Sequence, residues 1–121
     1  MSLPEFHARL ATSVVVFAAL AGLWALTAYL RRRGVAGSLW GILAVGELLL
    51  LAQGVVGLIL LLEGEKPARA VHILYGVVAA IGLPAYFAYS KGRDDRSAAL
   101  HYALLCFFLV GIGLRAIGTA G

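Results

Sequence analysis

The chain has 121 residues, 62% of them hydrophobic and 13% charged, with a mean hydropathy of +0.94. Soluble globular chains are about 45–50% apolar and roughly 25% charged, so this one cannot cover its apolar surface in water. That excludes a cytosolic enzyme, a free nucleic-acid binder and a disordered regulator, and points to an integral membrane protein of one small domain. The net charge of +4 does not argue for nucleic acid, because the basic residues sit between apolar stretches, where they act as topology signals.

Four apolar segments are each near the roughly 20 residues that a bilayer-crossing helix needs. They are expected at about 10–30, 39–62, 68–89 and 98–117. The connectors between them are short and polar: Arg31-Arg32-Arg33-Gly34, Glu63-Gly64-Glu65-Lys66-Pro67, and Ser90-Lys91-Gly92-Arg93-Asp94-Asp95-Arg96. Loops this short force neighbouring helices to run antiparallel, so the expected fold is all-α, an integral membrane four-helix up-down-up-down bundle. The segments lack the period-two alternation of a β-barrel. The first segment has its positive charge after the apolar run, as a retained anchor does and a cleaved signal does not.

Six of the ten Lys and Arg residues (Arg31, Arg32, Arg33, Lys91, Arg93, Arg96) fall on the side of connectors one and three; Arg9, Lys66, Arg69 and Arg115 fall on the other. By the positive-inside rule, connectors one and three are expected in the cytoplasm of a bacterial or archaeal-type membrane and both termini outside. Tyr29, Trp40, Tyr86 and Tyr89 lie near the cytoplasmic boundary, where amphipathic rings favour headgroups. Pro67 is placed to open the third helix and Pro84 to bend it near its end. Small residues recur through all four spans, Gly46, Gly54, Gly57, Gly76 and Gly111 among them, and let helix backbones, or a flat cofactor, approach closely. The stretches starting at His7 and His72 each open an outward-starting helix, which suggests a duplicated hairpin; apolar composition alone also makes such stretches alike.

The chemistry rests on histidines. His7 precedes the first apolar run by about three residues and His72 lies just inside the third, so at a rise of about 1.5 Å per residue both rings reach similar depths. Helices one and three are diagonal in such a bundle, and two imidazoles facing across the core can ligate a haem iron axially. Gly76, one turn below His72, leaves room for a macrocycle, and Arg9, Arg69 and Arg115 at the same level can pair with its propionates. The bland alternative is an interfacial histidine bonded to water or a connector carbonyl.

His101 and Tyr102 open the fourth span at the other end. Glu47, a carboxyl costly at its depth by roughly 2.5–3.5 kcal/mol, is expected to face the bundle. Glu47, His101 and Tyr102 form a candidate proton or quinone site, against a reading in which Glu47 makes one structural hydrogen bond. Gln53 is expected to donate an interhelical hydrogen bond or to touch the cofactor. Cys106 stands alone in an apolar run and offers neither a disulfide nor a cysteine metal site. No catalytic triad, P-loop, HExxH or Cys-x-x-Cys-His motif occurs.

The segments Glu5-Phe6-His7-Ala8-Arg9 and Ala70-Val71-His72-Ile73-Leu74, within a four-span layout covering almost the whole chain, resemble the small four-helix b-type membrane cytochromes. Cytochrome b561-like proteins and the half-bundles of haem A synthase share this scheme. The resemblance implies one haem b with His7 and His72 as axial ligands. Cytochrome b561 proteins generally place histidine pairs on both sides, whereas here the second side has His101 alone. The expected function is electron transfer between a membrane donor such as quinol and an outer electron-transfer protein. The alternatives are a cofactor-free accessory subunit of a larger respiratory or photosynthetic complex, and a small, oligomeric transporter coupled through Glu47.

Overall fold

The computed structural model describes residues 1–120, and it is all-helical: α1 (Leu3–Leu30), α2 (Gly37–Leu62), α3 (Val71–Tyr89) and α4 (Arg96–Ala120). All four are long and apolar enough to cross a membrane. Each helix packs on its two neighbours in the ring α1–α2–α3–α4, so α1 faces α3 and α2 faces α4 only across the diagonal. This is the up-down-up-down bundle expected from the short connectors.

Several helix ends differ from the apolar runs, and local chemistry explains three of the starts. α1 starts at Leu3, well before the apolar run, because the Ser2 hydroxyl accepts the Glu5 N–H at 3.3 Å and Pro4 tolerates the first turn. His7 is therefore inside the helix and not ahead of it. Pro67 does not open α3. The segment after it is held to the end of α4 instead, Ala68 N–H donating to Ala120 O and Arg69 N–H to Thr119 O, each at 3.2 Å, and the helix begins at Val71. α4 begins two residues before its apolar run, at Arg96, since Asp95 caps it by accepting the Ala98 N–H at 2.9 Å. Arg93, paired with the exposed Asp95 carboxyl, holds it below the usual carboxylate range.

α1, α2 and α3 all end in the same way. The residue after the cap turns left-handed, and the next N–H reaches back to a carbonyl one turn up: Arg33 to Ala28 O, Glu65 to Leu60 O, Gly92 to Phe87 O. At α2 the left-handed residue is Gly64 (φ 89°), but at α1 and α3 it is Arg32 (φ 59°) and Lys91 (φ 55°). A side chain in that region costs roughly 1–2 kcal/mol relative to glycine. Lys91→Gly is therefore expected to raise stability by about 1 kcal/mol, read as a higher unfolding midpoint in detergent; an unchanged or lower midpoint would show that the lysine makes compensating contacts.

The α1–α4 interface is the most extensive and α2–α3 the sparsest. The reason is side-chain size. Ala18, Ala21 and Ala25 of α1 meet Ala98, Ala99 and Ala103 of α4, all nearly inaccessible, and a methyl placed on Gly22 would stand 3.1 Å from Cys106 Cβ. In lipid, close backbone approach rather than hydrophobic exclusion drives such packing. α3, by contrast, buries only Leu83. Leucine, valine and isoleucine side chains outside the core are left exposed along every span, as a lipid environment requires. The core ends at the connector-one side in an aromatic group: Trp40 packs edge-on against Phe87 and Tyr102, and Tyr102 against Tyr86. Trp40 and Tyr86 thus turn partly inward, while Tyr89 is 86% exposed. The two hairpins are unlike in length, with 28 residues in α1 against 19 in α3.

Candidate functional site

His7 and His72 meet. Their ring centres are 6.3 Å apart and their planes are 77° from parallel, although α1 and α3 have no direct helix–helix packing. The side chains alone bridge the diagonal, and each ring is held by different partners.

His72 Nδ1 lies 2.8 Å from the Ala116 carbonyl and 3.3 Å from the Thr119 hydroxyl on α4. A carbonyl oxygen only accepts, so Nδ1 carries the proton and Nε2 of the neutral ring carries the lone pair. The Thr119 hydroxyl is itself within 3.1 Å of the Arg115 and Ala116 carbonyls, which makes this end of α4 a small polar network built to orient one imidazole. His7 is positioned from α2. The Gln53 amide donates to the His7 carbonyl at 2.9 Å, and the ring rests on Gly57, where a methyl would stand 3.2 Å from His7 Cε1. The ring fits beside α2 because residue 57 lacks a side chain. His7 Nδ1 is buried with no hydrogen-bond partner, which is costly for a polar atom away from water.

Gly76, one turn along α3 from His72 and on the same face, has no atom within 4 Å of the position a methyl would take. Arg9 is two residues from His7, about 200° around α1, and exposed, so it does not share the histidine's face. Arg69 and Arg115 do come together, lining an open hollow of about 440 Å³ with Gly111, Leu114, Gly118 and Thr119. Of the residues singled out at this end, the structure thus brings His7 and His72 together and sets Arg69 and Arg115 on one hollow, with Thr119 touching both, while Gly76 is exposed one turn along α3 from His72.

The other end is less unified. His101 Nδ1 is 2.9 Å from the Tyr86 hydroxyl, and Tyr86 stacks edge-on against Tyr102 at 4.8 Å. The Tyr102 hydroxyl is buried and unpartnered, as are both carboxyl oxygens of Glu47. No hydrogen bond joins Glu47 to His101 or Tyr102. Tyr29 lies under the Arg96 guanidinium, which is 4.0 Å from its ring centre, and its carbonyl accepts from Arg96 Nε at 2.8 Å. Cys106 is buried and free, on the wall of a small void of about 20 Å³ with an entirely apolar lining. A void of that size can admit one water but offers it no partner.

Sequence reasoning named both histidines and Gln53 but missed Gly57 as the seat of one ring, and Ala116, Thr119 and Tyr86 as hydrogen-bond partners. Thr119 was findable, being the only hydroxyl in the C-terminal half of α4. Tyr86 was findable too, since a short connector sets it at the depth of His101. Backbone acceptors such as Ala116 O carry no signal in sequence. Among the described residues no group of three or more His, Cys, Asp or Glu side chains could hold a metal ion by itself. A macrocycle that brings four donors of its own asks the protein only for two axial ligands. No family model, curated protein or solved structure matches the chain.

Proposed function

We propose that this protein is a membrane cytochrome that holds one haem b between His7 and His72 and passes electrons between a membrane quinol and an acceptor on the side of its termini, the outer side. The observation that carries this reading is the spacing of the rings. An imidazole nitrogen binds a transition metal at about 2.0–2.1 Å and lies roughly 1.1 Å from its ring centre, so two axial rings on one metal stand about 6.2–6.4 Å apart. The separation here is 6.3 Å. The ring nitrogens form no hydrogen bond to one another, and His7 Nδ1 has no hydrogen-bond partner at all.

The remaining features fit the group. The Ala116 carbonyl fixes the His72 tautomer with Nε2 unprotonated, and such an outer partner typically sharpens the affinity and orientation of a metal-binding histidine. Gln53 and Gly57 set the place of the other ring, and Gly76 leaves open space beside the first. Haem would supply reversible one-electron chemistry there, and His7 and His72, if both held it, would leave no open position for oxygen, which would favour electron transfer over catalysis. Arg69 and Arg115 line the hollow beside Thr119, and the haem reading does not depend on them.

A second reading draws on α3, which buries only Leu83: a cofactor-free accessory subunit whose α3 face is completed by a larger complex. One measurement separates the two. The protein purified in mild detergent is expected to show a Soret band and the α band of a six-coordinate b-type haem on reduction, at one haem per chain. A colourless, fully helical preparation from haem-replete cells would overturn the cytochrome reading, and co-purification of that colourless form with a large complex would establish the other.

A further inference from the structure

The hollow lined by Arg69 and Arg115 lies outside the bundle. Gly111 stands nine residues from buried Tyr102, and Gly118 nine from buried Leu109; at about 100° per residue each glycine is half a turn from the core, on the face of α4 turned toward lipid. A methyl on Gly111 or Gly118 would meet nothing within 4 Å. Leu114, 58% exposed, continues this apolar trough between them. At its outer end are two guanidinium groups, and neither forms an ion pair among the described residues. Two like charges bordering one hollow at the membrane edge attract an anion, and arginine's planar fork suits phosphate oxygens.

We propose that this hollow is a binding site for an anionic phospholipid, its phosphate held by Arg69 and Arg115 and an acyl chain lying in the trough over Gly111, Leu114 and Gly118. The hollow is open along its side, as a site entered from the bilayer would be. A trough that is apolar along the span and cationic only at its outer end matches one molecule with those two parts. A second copy of the chain would bring its own arginines to the same spot, and the like charges oppose that. The proposal does not rest on the haem reading, although Thr119 lines the hollow and also meets His72 Nδ1.

The test uses the full chain in neutral detergent, titrated with phosphatidylglycerol or with phosphatidylcholine of identical acyl chains, and bound lipid is counted by native mass spectrometry. One phosphatidylglycerol is expected to remain per chain with at least fivefold preference over phosphatidylcholine. Replacing both Arg69→Gln and Arg115→Gln should abolish the preference, and Gly118→Leu, at an exposed position where an added Cβ meets no neighbour, should lower retention of both lipids. Equal retention by the unaltered chain, a preference that survives loss of both arginines, or retention unaffected by Gly118→Leu would each overturn the proposal. So would efficient disulfide linkage between two chains carrying Gly118→Cys in vesicles of phosphatidylglycerol, because a second copy would then occupy the face.

Discussion

Replacing His72 with alanine is expected to abolish the Soret and α bands of the purified protein while leaving its helical circular dichroism intact, and His7→Ala is expected to do the same. Each substitution takes away one of the two rings whose centres lie 6.3 Å apart, and no other histidine, cysteine or methionine is at that level to replace it. Neither ring is a principal support of the bundle, because the fully buried core is built by α1 and α4 residues such as Ala25, Ala98 and Tyr102 and by Leu39 of α2. Bound haem should fall by at least tenfold in each variant, since even loss of an outer-shell partner typically costs 10–100-fold in metal affinity. Gly76→Leu sharpens the test. Gly76 is exposed and an added Cβ there meets no neighbour, so the fold should be undisturbed, whereas a macrocycle extending over that face of α3 would collide with the leucine. Pigment that survives in His7→Ala and His72→Ala alike would exclude these residues as ligands.

Gly34→Ala is expected to destabilise the bundle by about 1–3 kcal/mol, the usual range for forcing a group into closely packed space, although residue 34 lies in a connector. Connectors one and three are clasped together, the Val35 N–H donating to Asp94 O at 2.7 Å, and a methyl on Gly34 would overlap the Asp94 carbonyl oxygen. The obstacle is backbone, so no rotamer change can relieve it. The clasp must open, which also exposes Val35 (5% accessible) and draws the N-terminus of α4 away from α2. Gly37→Ala and Gly41→Ala, where an added methyl meets nothing within 4 Å, are the matched controls and should shift the midpoint little. Thermal unfolding in detergent reads the difference, and hydrogen exchange at the Val35 amide should rise in Gly34→Ala alone. An unchanged midpoint together with a protected Val35 amide would mean that the two connectors do not rely on this close approach.

Sequence by itself determined the number of spans, their antiparallel order and the common depth of His7 and His72. These follow from run length, connector length and helical rise, which lipid makes stringent because each crossing backbone must satisfy its own hydrogen bonds. Tertiary structure alone decided which way each residue turns. The spans are apolar nearly all round, so no polar stripe marks an outer face, and rotation about each helix axis is set by where small residues let backbones close. That rotation put Gly57 under His7, aimed His72 at the Ala116 carbonyl, carried Arg9 around to the far side of α1, paired His101 with Tyr86 and left Glu47 without a partner. The Arg69–Arg115 hollow has the same origin: those residues are separated by 46 positions in the chain, and they share a wall only because the start of α3 is tied to the end of α4.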